Sequence, residues 1–124
     1  MIKLKNKEAS YLLSPVAQRL FSDSRRPFPA KDTFLILDLI GSIELRIKQY
    51  NQKVSEIVSE NGGEILPTGA IKLKDESKRT EVESKIEELS QIELEYPGEK
   101  LTITDGWPNL SIQEAHILKP IIEG

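Results

Sequence analysis

The sequence predicts an α+β protein in which a long antiparallel helical hairpin carries small antiparallel β-hairpins and short terminal helices. Three observations predict it. Ile36, Ile40, Ile43, Ile47, Tyr50, Val54 and Ile57 repeat at alternating steps of four and three residues, the spacing of a helix lying along another helix. Short runs of alternating apolar and charged residues flank "PTG" at 67–69 and "PGE" at 97–99, the pattern of hairpin strands around turns. Cap signals at Asn6, Asp75 and Ser111 mark helix starts. With 124 residues the chain holds one core, so a single domain spans 1–124. The helical hairpin fills about 30–91 of it, and a C-terminal β-hairpin and short helix fill 92–124.

Taken in order, "IKLK" at 2–5 alternates and reads as a short strand with one face buried. Asn6 stands as the cap of the next helix, with Glu8 in its first turn near the positive end of the dipole. Leu13, Val16, Ala17 and Leu20 continue at helical spacing, but Pro15 lacks a backbone N–H and forces a kink or two short helices. "SRRPFPA" is an extended connector, because each proline restricts the residue before it. Pro29 then precedes a helix expected from about Ala30 to about Glu60, where proline is tolerated at the first turn.

Asn61, Gly62 and Gly63 supply a left-handed stop. "EILPTGAIKLKD" reads as a tip hairpin, with Gly69 at the position that needs positive φ. A second helix follows from Asp75 to about Gln91, its stripe made by Val82, Ile86 and Leu89. "IELEYPGEKLTIT" reads as a second hairpin with strands near 92–96 and 100–104. Ser111 and Glu114 form a capping box for a last helix, Leu110 stands where a staple would, and Pro120 limits that helix to about two turns.

Composition narrows function. The net charge of −3, from 17 basic and 20 acidic residues, supplies no basic stripe for a phosphate backbone, so no nucleic-acid partner is expected. It is also too small an excess for a nucleic-acid mimic. With no cysteine there are no disulfides, thiolate metal sites or cysteine nucleophiles, which fits a reducing compartment. "MIKLKNKEAS" lacks the apolar region of a secretion signal. The most apolar window, "FLILDLI", is short and contains Asp38, against the roughly 20 apolar residues of a spanning helix. The expectation is a cytoplasmic protein with no membrane partner.

The second helix offers three stripe residues against seven on the long one, so it covers only the half near Tyr50 to Ile57. The half from Phe34 to Ile47 is broader, with Leu35, Leu37 and Leu39 on a second apolar flank. It needs either the chain's own ends or a second copy, and the sequence leaves that choice open. The seven repeat residues are therefore a helix-packing or a homodimer interface.

No catalytic residues, metal ligands or cofactor motif stand out. His116, the one histidine, has no ligand partners at metal spacing and reads as structural, with no pocket of convergent polar groups expected around it. Trp107 either anchors a ligand or partner or plugs a domain edge, the commoner role beside a turn. Arg25 and Arg26 could grip a phosphate or carboxylate, although two loop arginines are more often just solvated. Glu81, Glu83, Glu87 and Glu88, interleaved with Lys78 and Lys85, read as a solvated helix face. "NGG" and "PTG" are too short to cradle a phosphate.

The stretches "GAIKLKDESKRTEVESKIEEL", "IELEYPGEKLTI" and "LSIQEAHILKPIIEG" resemble, in their order after a long central helix, a group of small phage and prophage proteins. The resemblance covers roughly residues 30–123, and Gln113 stands where the closing motif of that group has proline. It implies a phage-encoded intracellular protein and carries over no catalytic residues. The expected function is a non-enzymatic accessory role through protein binding or sequestration, such as inhibition of a host factor or chaperoning of virion assembly. The alternative is a binder of a small anion such as a nucleotide, using Arg25, Arg26 and Trp107 in a dimer cleft.

Overall fold

A computed structural model describes residues 1–123 of the chain. The first strand, β1 (Ile2–Lys5), runs directly into α1 (Asn6–Leu12), and α2 (Pro15–Ser22) follows after a break. Pro15 is the first residue of α2, and the Ser14 hydroxyl caps that helix by accepting the Ala17 N–H at 3.3 Å. Of the two expected outcomes at Pro15, two short helices form. Asn6 is not a cap. The cap position is Lys5, whose N–H donates to the Glu8 carboxylate at 2.8 Å. Asn6 is buried instead, because its amide has donors that a cap does not use: the side chain donates to the Leu89 carbonyl at 2.9 Å.

The long helix α3 spans Ala30–Glu60, as its repeat predicts. Its buried residues, however, are Asp32, Ile36, Leu39, Ile43, Ile47 and Val58. Ile40, Tyr50, Val54 and Ile57 are only half-buried. The reason is geometric. A strict seven-residue repeat drifts around a straight helix by about 20° per repeat, so by the far end of α3 the buried line has moved from Ile57 to Val58, while at the near end Leu39 is buried and Ile40 is half-buried. Ile36, Ile47 and Val58 lie eleven residues apart, close to three turns of a straight helix.

Gly62, at φ +73°, ends α3 in the left-handed conformation expected of the glycine pair. The tip follows as β2 (Gly63–Ile65) paired antiparallel with β3 (Ile71–Leu73), and Gly69 turns the chain at φ +88°. The Asp75 carboxylate then accepts the Ser77 N–H at 3.0 Å and starts a 3₁₀ turn, Glu76–Lys78, which leads into α4 (Arg79–Ser90). Val58, Leu73 and Val82 form a small core at this end, with Ile57, Ile71 and Ile86 around it.

The second β-hairpin does not form. The strand β4 (Glu93–Tyr96) pairs antiparallel with β1, from Ile2 opposite Tyr96 to Lys5 opposite Glu93. The segment expected at 100–104 is reduced to one parallel bridge, Leu101 with Ile122. Alternation specifies a face and not a partner. β1 carries an apolar face that a lone strand cannot bury, and pairing with β4 puts Ile2, Leu4 and Tyr96 into one core.

The chain closes with α5 (Ile112–Leu118) and a 3₁₀ turn, Lys119–Ile121. Its capping box is as predicted: Glu114 N–H donates to the Ser111 hydroxyl at 3.1 Å, and Ser111 N–H donates to the Glu114 carboxylate at 2.9 Å.

The main core gathers Ile36, Leu39, Ile43 and Ile47 of α3 with side chains from both ends of the chain, including Leu4, Leu12, Leu20, Tyr96, Leu118 and Ile121. The inner stripe is thus closed within one copy. Ile43 is 0% exposed. Among the described residues, no helix is long and apolar enough to cross a membrane.

Candidate functional site

Arg25, Arg26 and Trp107 come together. They line one shallow cleft of about 390 Å³ between the connector that precedes α3 and the loop at 105–109. Two of the three are already engaged. Trp107 is 8% exposed, stands edge-on to Phe28 with centroids 4.9 Å apart, and donates its Nε1–H to Asp32 Oδ2 at 2.8 Å. Asp32 lies in the first turn of α3, where a carboxylate is favoured by the helix dipole. The indole therefore fastens the loop to the start of the long helix.

Arg26 makes a two-pronged pair with Glu114, Nη1 to Oε2 at 3.0 Å and Nη2 to Oε1 at 2.8 Å, and also donates to the Asn109 carbonyl. The Arg26 guanidinium, aided by the Ser111 backbone N–H, holds the Glu114 carboxyl at about 2 instead of the ordinary 4.5. The guanidinium fork is filled from within the chain and ties α5 to the connector. A ligand anion would have to displace Glu114, which is nearly buried. Arg25 is different: its side chain is 88% exposed, with only Asp23 of its own loop beside it at 3.3 Å. The cleft offers one exposed guanidinium, held only by Asp23, over a shielded indole.

The acidic residues of α4 form a solvated face. Glu81 pairs with Lys85 at 3.1 Å, both about half exposed, and exposed Glu83 pairs with half-buried Arg79 at 3.6 Å. No group of three or more His, Cys, Asp or Glu side chains could hold a metal ion among the described residues.

The surface that sequence reasoning missed is on the far side of α3. Phe34, Leu37 and Leu45 are 68%, 59% and 64% exposed. Together with Gly41 they follow steps of three, four and four, which places all of them on one side of a helix. A Cβ built at Gly41 would meet nothing within 4 Å, so the middle of this outer stripe is open backbone. The spacing 34–37–41–45 was the available signal. It was hidden because Leu37 reads equally well as part of a broad inner face.

His116 also departs from expectation. A cleft of about 480 Å³ lies beside it, lined from both ends of the chain by polar side chains together with Ile117 and Pro120. No family model, curated protein or solved structure matches this chain.

Proposed function

We propose that this is a non-enzymatic phage or prophage accessory protein that acts in the host cytoplasm by binding protein, through the outer stripe of α3. In this reading α3 and α4 form an antiparallel helical hairpin around the β2–β3 tip, and the outer side of α3 is left for a partner. The observation that carries it is the row of Phe34, Leu37 and Leu45, each more than half exposed on a helix whose other side is closed. Exposed apolar rows of this kind on a folded surface mark interaction sites. Inhibition of a host factor and chaperoning of virion assembly are the two roles that fit such binding in a phage.

The first occupant we assign is a second copy of this chain, paired antiparallel. Exposed Asp38 lies towards the N-terminal end of the stripe and exposed Lys48 towards its C-terminal end. A parallel pair would set like charges together, whereas an antiparallel pair centred at Ile43 sets Asp38 near Lys48 of the second copy. The same register lays Leu45 of one copy against Gly41 of the other, where no side chain intervenes. The stripe from Phe34 to Leu45 is about 17 Å long at 1.5 Å per residue. One helix face of that length falls short of the roughly 800 Å² per partner of a standard interface. The dimer is accordingly a weak one.

The small-anion alternative at Arg25, Arg26 and Trp107 is opposed by the commitment of Arg26 to Glu114 and of Trp107 to Asp32. Sedimentation equilibrium tests the proposal. The average mass is expected to climb from 14.0 kDa towards twice that value between about 10 μM and 1 mM. Leu37→Lys/Leu45→Lys is expected to stay monomeric with an unchanged unfolding midpoint. A mass of one chain throughout that range overturns self-pairing.

A further inference from the structure

We infer that the cleft where the two ends of the chain meet binds a small phosphorylated ligand whose aromatic base stacks on Tyr11. The cleft holds about 480 Å³, within the range of about 300–1,000 Å³ for small-molecule sites. Its walls carry Lys5 and Lys7 from the β1–α1 junction, and His116 and Lys119 from α5 and the turn after it. In a chain of net charge −3, this gathers three lysines and the one histidine around one hollow.

Lys5 and Lys7 are half-buried. Among the described residues, neither they nor Lys119 form an ion pair with a carboxylate. Glu93 faces Lys5 across the β1–β4 ladder without reaching it. The one carboxylate in the lining, Glu8, is turned to the Lys5 backbone N–H at 2.8 Å. Cations gathered without counterions from the protein leave a positive field that a bound anion neutralises.

The geometry favours a phosphate monoester attached to a flat base. Lys7 and Tyr11 are four residues apart on α1, and His116 and Lys119 are three apart at the end of α5, so each pair shares one side of its element. The two sides meet where α1 packs on α5. Tyr11 is 50% exposed and lines the same cleft. Its ring offers the face on which a nucleobase stacks, while the lysines and the imidazole supply donors for the phosphate oxygens. No serine, threonine or cysteine lines the hollow, and the inference is one of binding.

Titration calorimetry at low ionic strength with inorganic phosphate, ribose 5-phosphate and AMP tests this on the full chain. AMP is expected to saturate the protein with a dissociation constant between about 10 μM and 1 mM, at least about fivefold tighter than ribose 5-phosphate because of the stacked base. Lys7→Gln/Lys119→Gln is expected to weaken AMP by about tenfold or more. Tyr11→Ala should bring AMP down to the level of ribose 5-phosphate. Arg25→Gln should leave all three unchanged, and unchanged unfolding midpoints establish that the variants are folded. The inference is overturned by any of three results: no saturable binding of any probe up to about 10 mM, AMP no tighter than inorganic phosphate, or binding that survives Lys7→Gln/Lys119→Gln and disappears in Arg25→Gln.

Discussion

On the inner side of α3, Ile36, Leu39, Ile43 and Ile47 are buried beneath side chains from both ends of the chain. On the outer side of the same turns, Phe34, Leu37 and Leu45 leave about two-thirds of their surface in solvent. The residue types are the same, and Ile36 and Leu37 are adjacent in sequence. What separates them is about 100° of rotation per residue and the accident of which side the chain ends reach. Apolarity nominates a residue for burial, and topology decides whether the burial occurs within one copy. Each inner residue contributes roughly 1.5–3 kcal/mol by leaving water; an outer residue contributes this only when a partner arrives.

The largest way to break the contrast is to charge the inner side. Ile43→Asp puts a carboxylate with no partner into a fully buried position, at an expected loss of more than about 4 kcal/mol. Denaturant unfolding should show a chain that is unfolded or nearly so, at any protein concentration. A folded monomer would mean that the stripe had faced a second copy.

The tie at the N-terminal end of the inner side should come next. Trp107→Phe keeps ring packing against Phe28 but removes the donor from Asp32, which is 8% exposed. The expected cost is about 1.5–3 kcal/mol in unfolding free energy. A loss below about 0.5 kcal/mol would show that water serves Asp32 as well as the indole does.

The smallest effect reverses sign. Gly41→Ala replaces the most flexible helix residue at a site with nothing within 4 Å, so the monomer should gain about 0.5–1 kcal/mol. In the proposed antiparallel pair the new methyl group stands between the two copies, so the same variant should weaken self-association. Weaker association in a more stable monomer is a combination that only an interface role for Gly41 explains.

These contrasts also show what was legible. Helix boundaries were readable where local chemistry sets them: the Pro15 break, the span of α3, the Gly62 and Gly69 turns and the Ser111–Glu114 box all follow from neighbours within four residues. Strand pairing was not. β1 joins β4 across most of the chain, and alternation in "IELEY" says nothing about whether its partner is "KLTIT" or "IKLK". The same limit governs the sites. Arg25, Arg26 and Trp107 could be named as candidates, but the engagement of Arg26 by Glu114 links residues 88 apart in sequence. The basic cleft joins Lys7 to Lys119, and its two halves look unremarkable until the fold brings the chain ends together.

Thiol labelling tests the central contrast most directly, because the chain has no cysteine of its own. Leu45→Cys and Ile47→Cys place one thiol on each side of α3, two residues apart. In dilute native protein, Leu45→Cys is expected to react with a maleimide at nearly the rate of a free thiol. Ile47→Cys should react only as fast as the protein unfolds, and raising the protein concentration should slow the Leu45→Cys reaction alone. Rapid labelling at both positions would contradict closure of the inner stripe by the chain's own ends, and protection at both in dilute solution would contradict an open outer stripe.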